Sequence, residues 1–237
     1  MKSIHRCAVL GLLWLAFSVV ASATTSFTIE SYNFSTAGDG GGFLAYLNGD
    51  SADSFEVFCA DYLNTVSPPE TFDVNIDIVG ITVADTRYGT TSPSGFSDPI
   101  TVNGSLATAE ERYVMAGWLT TQYNLSGDNS NMNMGIQDAI WTLLNTGNYT
   151  QFSNSYESAE LAAAIAWANA AIADGTFNSF ADEVEVFSST DISGASTPGR
   201  YTTGAQEMIA VIPEPMTLAL AGIGLLSIGL FRRRKKI

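Results

Sequence analysis

The sequence predicts an α+β domain: a β-sandwich or barrel-like body with a helical insertion, held between two apolar terminal segments. Three observations lead there. Apolar and polar residues alternate with a period of two in the first third of the chain. A helical period replaces it between residues 106 and 175, and strand-like runs return before residue 212. Ser, Thr, Gly and aromatic residues dominate much of the chain, which excludes a helical bundle.

The first 23 residues read as a secretory signal peptide: Lys2, His5 and Arg6 form a basic start, and 7–20 is an apolar run. Ala21-Ser22-Ala23 is a small-residue cleavage site, with Ala21 and Ala23 as its determinants and Thr24 as the mature N-terminus. From 24 to about 83 the pattern is strand-like. Phe72, Val74, Ile76 and Ile78 alternate with Asp73, Asn75 and Asp77, and Phe55, Val57 and Cys59 with Glu56, Phe58 and Ala60. Gly-rich and Asp-rich stretches at 38–42 and 48–50 punctuate these runs as turns. Residues 86–105, rich in Thr, Ser, Gly and Pro, read as a long loop.

Thr108-Ala109-Glu110-Glu111 is a capping box that opens a helix running to about Tyr123. A second helix is expected over 133–145 and a third over 157–173. The third places Leu161, Ile165, Ala168 and Ile172 on one face, with Gly175 as its C-cap. Strands are expected again at 183–188 and 201–212. No internal repeat is visible.

The C-terminus has three parts in order. Pro213-Glu214-Pro215 interrupts regular structure, 216–231 is apolar, and Arg232, Arg233, Arg234, Lys235 and Lys236 form a basic flank. The sixteen residues of this run make a helix of about 24 Å, slightly short for a hydrocarbon core of about 30 Å. Snorkelling of the terminal Arg and Lys side chains supplies the remaining reach, and their charge places the C-terminus in the cytoplasm and the domain outside. The chain thus divides into a signal peptide (1–23), an extracytoplasmic α+β domain (24–212) and a terminal segment with a transmembrane helix (213–237).

The formal charge of −14 understates the acidity of the middle. Between 24 and 212 stand 23 acidic residues against Arg87, Arg112 and Arg200, with no lysine and no histidine. Such a surface repels phosphate backbones, which excludes nucleic acid as a partner. Without histidine in the mature domain there is no His triad and no His–metal site. The spacing of Asp128-Asn129-Ser130-Asn131 is not that of an EF-hand loop, and no motif singles out a glycosidase carboxylate pair. Trp118, Trp141 and Trp167 fall in helical patterns, where core packing is expected in preference to a sugar platform. The expectation is a protein without catalytic turnover, metal or cofactor.

The tail of 211–236 resembles the PEP-CTERM sorting signal of Gram-negative bacteria. That resemblance implies export, retention in the inner membrane by the 216–231 helix, and processing near Pro213-Glu214-Pro215 by an exosortase. It further implies delivery to the cell surface or extracellular matrix, commonly in strains that make exopolysaccharide. An extended, Pro-bounded peptide at the membrane face suits a membrane-embedded peptidase, because Pro215 cannot sit inside a preceding helix.

Within the mature domain Cys59 is the single cysteine. A thiol there is either a small buried hydrophobe, a reactive group, or a partner for another chain. Gln137 shares a helix face with Trp141 and Leu144, beside Ile140, so its amide points toward the core and needs a partner, for which a backbone group would suffice. Together, Phe58-Cys59-Ala60-Asp61 and Ile136-Gln137-Asp138-Ala139-Ile140-Trp141 resemble the paired motifs of thioester domains in bacterial surface adhesins, and Ala116-Gly117-Trp118-Leu119 is similar to an intervening helix of that family. The resemblance spans roughly 25–190. It implies that Cys59 is the nucleophile, Gln137 the acyl donor, and an internal thioester the product, poised for covalent attachment to an exopolysaccharide or other surface nucleophile. The absence of lysine from 24–212 is compatible, since no internal amine can consume the bond. The chain lacks the stalk and isopeptide-linked repeats of those adhesins, so a partner in the cell's own matrix is at least as well matched as a host. The alternative is a structural or carbohydrate-binding exopolysaccharide-associated protein in which Cys59 and Gln137 are core.

Overall fold

The computed structural model describes residues 25–32, 42–62, 66–123, 130–147, 155–190 and 206–212. The expected signal peptide, Pro213-Glu214-Pro215, the 216–231 helix and its basic flank lie outside these residues. Among the described residues no helix is long and apolar enough to cross a membrane.

Where the sequence alternates, strands form: β1 (Thr25–Tyr32), β2 (Phe43–Leu47), β3 (Phe55–Cys59) and β4 (Glu70–Ile78). A small hairpin follows, β5 (Thr101–Val102) and β6 (Ser105–Leu106), and then four helices: α1 (Ala109–Thr120), α2 (Ser130–Leu143), α3 (Ser155–Asp174) and α4 (Phe177–Ala181). β7 (Val184–Ser189) and β8 (Met208–Val211) complete the sheet. Six strands close into an antiparallel barrel in the order β1-β2-β3-β8-β7-β4. Of the two expected architectures the barrel is therefore the one adopted, with the helices inserted between β6 and β7. Closure leaves this sheet no open edge, which suits a domain of short strands.

Alternation in β3 separates two cores, not core from solvent. Val57 and Cys59 lie in the barrel interior with Phe27, Phe187 and Met208, while Phe58 and Ala60 join a second cluster built by the helices. Phe27 organises the interior, stacking on Phe187 at 4.9 Å and meeting Phe72 edge-on at 5.5 Å. On β4 the polar side of the expected alternation is not wholly solvated. Asp77 is buried and accepts the backbone N–H of Asp85 at 3.0 Å, anchoring the chain that leaves the strand.

The capping box forms as expected: Thr108 Oγ1 accepts from Glu111 N at 3.2 Å and Glu111 Oε2 accepts from Thr108 N at 2.8 Å. α1 ends at Thr120, short of Tyr123, and α2 occupies Ser130–Leu143, shifted toward the N-terminus from the expected 133–145. The most buried face of α3 runs through Ala164, Ala168 and Ala171, and Leu161, Ile165 and Ile172 are only partly buried. At its first turn α3 crosses α2 closely, where a Cβ on Gly135 would stand 2.4 Å from Tyr156 Cβ. Gly175, at φ +81°, ends α3 as expected, with Thr176 N donating to Ala171 O at 2.9 Å.

The expected loop 86–105 contains the β5–β6 hairpin and is pinned by Arg112. From α1 its guanidinium donates to Leu143 O and Asp98 O, both at 2.7 Å, and to Ala107 O at 3.4 Å, and it lies 4.1 Å over the Phe96 ring. Burial lowers its pKa to about 10, which still leaves it charged at neutral pH. A second buried network ties the same loop to the barrel. Arg87 forms an ion pair with Asp61, and Glu207 accepts from Tyr113 Oη, Ser188 Oγ and the Arg87 backbone N, each at 2.6 Å. Burial pushes the Glu207 carboxyl above the ordinary range, and these donors and Arg87 offset part of that rise.

Two predictions follow from this packing. On Gly117 of α1 a Cβ would lie 2.7 and 2.8 Å from the two methyl groups of the fully buried Val184. Gly117→Ala is therefore expected to destabilise the domain by about 1–3 kcal/mol, read by chemical denaturation. Because the folded pKa of Glu207 is raised, its contribution to stability is complete below the ordinary value of about 4.3 and is lost as pH rises through the folded value. The domain is expected to melt at a higher temperature at pH 5 than at pH 7.5, and Glu207→Gln to narrow that difference; an unaltered pH profile in the variant would exclude Glu207 as its source.

Candidate functional site

Cys59 is the last residue of β3, paired with Met208 of β8. Its side chain lies in the barrel-interior cluster with Met208 and Trp141, 1% exposed. Burial pushes the thiol well above its ordinary pKa, so at neutral pH it is held as S–H and is no freely reacting nucleophile.

α2 brings the second group. Trp141 enters the barrel-interior cluster and meets Tyr62 edge-on at 5.1 Å. One turn earlier on the same face stands Gln137, completely buried. Its carboxamide cannot be left without partners there. Nε2 donates to the backbone carbonyl of Cys59 at 2.7 Å, and Oε1 accepts from the Tyr123 hydroxyl at 3.1 Å. Residues 78 apart in sequence are thus joined directly. The backbone partner expected of a buried glutamine is present, and it belongs to the cysteine itself.

Tyr123 follows α1, and its ring packs on Phe58 at 4.5 Å. Burial first, and then the neighbouring Cys59 and Asp138, hold its phenol well above its ordinary pKa. A buried carbonyl oxygen with a phenolic donor, beside a cysteine and shielded by aromatic rings, is an environment in which an acyl group is polarised and water is excluded.

The structure therefore brings Cys59 and Gln137 together. Ala21 and Ala23, Pro213, Glu214 and Pro215, and the flank Arg232, Arg233, Arg234, Lys235 and Lys236 lie outside the described residues. Tyr123 was missed by sequence reasoning, which used it only as a helix boundary. Arg112, fully buried, and Arg87, whose side chain is 5% exposed, are two of the three cations between 24 and 212. Trp118 and Trp167 stack on each other at 5.4 Å against the helical core. Among the described residues no three His, Cys, Asp or Glu side chains converge to hold a metal ion.

Comparison with curated proteins finds no match. Among solved structures the chain is similar to the N-terminal thioester domain of fibronectin-binding protein SfbI from Streptococcus pyogenes, at 11% identity and a TM-score of 0.40, covering 84% of this chain and 98% of that one. So distant a likeness carries no argument about activity, and the site stands on its own geometry. Residues 211–235 match the PEP-CTERM protein-sorting motif. The chain carries that motif, and with it the mark of an exported protein that is anchored in the membrane before an exosortase processes it.

Proposed function

We propose that this is a non-enzymatic surface or matrix protein whose domain forms an internal thioester between Cys59 and Gln137 and uses it for covalent attachment. The observation that carries this reading is the hydrogen bond from Gln137 Nε2 to the Cys59 carbonyl, which holds a buried carboxamide against the residue bearing the domain's single thiol. In the first step a bond forms between Cys59 Sγ and the Gln137 carboxamide carbon and the bond to Nε2 breaks. The thiol proton leaves with that nitrogen as ammonia. In the second step an amine or hydroxyl of a partner adds to the same carbon, the C–S bond breaks, and the partner's proton restores the thiol. Burial protects the activated acyl group from water until a partner reaches it. The partner class is an exopolysaccharide hydroxyl or an amine at the cell surface. Export by the 1–23 signal peptide, anchoring by the 216–231 helix and release at Pro213-Glu214-Pro215 would bring the domain to such a partner.

Intact mass of a freshly purified 24–212 fragment is expected to be one ammonia below the calculated value, and that of Cys59→Ala to equal its calculated value. If both match calculation and the wild-type thiol titrates freely on unfolding, there is no thioester. The domain is then a structural or carbohydrate-binding module, which polysaccharide binding by Cys59→Ala would demonstrate. For the tail, Pro213→Ala combined with Pro215→Ala is expected to hold the protein in the membrane as the unprocessed form; normal release of the double variant would refute processing at that motif.

A further inference from the structure

We propose that Tyr123 is a catalytic residue of the thioester chemistry, the donor that stabilises the oxyanion formed on Gln137 Oε1. The proposal rests on the Cys59–Gln137 reading above. Its basis is geometric: the Tyr123 hydroxyl donates to Gln137 Oε1 at 3.1 Å, the oxygen on which charge develops when a nucleophile adds to the carboxamide carbon. Its ring is fixed by packing on Phe58 at 4.5 Å, the residue that precedes Cys59 on β3. The donor is therefore attached to the same strand end that carries the nucleophile, and the donor, the acyl group and the cysteine backbone form one buried unit.

The identity of the group follows from what it must do. As Sγ adds, the carbonyl electron pair moves onto Oε1, and a proton donor there lowers the energy of the tetrahedral intermediate. When the intermediate collapses, the carbonyl re-forms, the C–N bond breaks, and the nitrogen departs as ammonia with the proton that the thiol carried. Tyr123 gives up no proton over the cycle. Burial and the adjoining Cys59 and Asp138 favour the protonated phenol, which suits a hydrogen-bond donor and disqualifies it as the base. Attack by an external amine passes through an intermediate with the same oxyanion, so the same hydroxyl serves both formation and opening of the thioester.

The test follows the wild-type protein and two variants, Tyr123→Phe and Phe58→Leu, by intact mass from the moment of refolding and then by adduct formation with methylamine. In wild type, ammonia is lost and the methylamine adduct forms. Tyr123→Phe keeps the ring and its contact with Phe58 but removes the hydroxyl, and both steps are expected to slow by about 100-fold with a melting temperature close to wild type. Phe58→Leu loosens the ring contact and leaves the hydroxyl, and is expected to react much faster than Tyr123→Phe. Equal rates in wild type and Tyr123→Phe would overturn the assignment, as would an equal slowing in Phe58→Leu, which would assign the effect to packing. Absence of ammonia loss in wild type would instead refute the thioester and Tyr123's role with it, so the two failures are distinguishable.

Discussion

The rest of the site depends on the burial of one carboxamide. Gln137 sits on a helix face that must pack on the barrel, and burial removes water as a partner for both ends of its amide. The amide is satisfied only if α2 approaches the end of β3 closely enough for Nε2 to reach the Cys59 carbonyl, and if Tyr123 comes in from the end of α1 to reach Oε1. The requirement sets the register of two helices against one strand. Trp141, a turn further along α2, joins the barrel-interior cluster from the same helix face. A purely apolar helix face could slide; a buried amide with two fixed partners cannot do so without losing a hydrogen bond.

Charge is arranged on the same logic of scarcity. With 23 carboxylates and three arginines between 24 and 212, a dispersed distribution would leave every cation on the surface. Instead, Arg87 and Arg112 are buried and bind the long segment between β4 and α1 to the barrel and to the end of α2. Buried ion pairs are weak as stabilisers when set against apolar substitutes, but an orphaned member is costly, so they hold a segment in one arrangement. That segment has little regular structure of its own to keep it in place. Cys59, at the end of β3, is two residues from Asp61, which pairs with Arg87, so the network also fixes the chain as it leaves that strand.

Much of the architecture was legible in the sequence because it is written in local periodicity. The capping box at Thr108, the Gly175 cap and the alternation of β3 and β4 each depend on residues within a few positions of one another. The misreadings share a cause. Periodicity puts Asp77 on the polar side of β4, but alternation reports side, not surroundings, and the chain folds back over that side. The helical period puts Leu161, Ile165, Ala168 and Ile172 on one face of α3, whereas Ala164, Ala168 and Ala171 are its deepest residues, which periodicity cannot rank because depth is set by the neighbouring elements. For the candidate site, Cys59 and Gln137 could be singled out by residue type and helix face, but Tyr123 carries no local signal, since its role arises from a hydroxyl meeting an amide from another helix.

By itself the sequence determined the class of fold, the longer strands and helices, the sorting motif and the scarcity of cations, all of which are properties of composition or of neighbours along the chain. Only the tertiary structure decided that the sheet closes as a barrel, that both faces of β3 are buried, and that Gln137 meets the backbone of Cys59 across 78 residues. The physical reason is that barrel closure and the pairing of buried polar groups are long-range conditions. They are met by elements that periodicity describes singly, and it is their joint packing that selects which side chains meet.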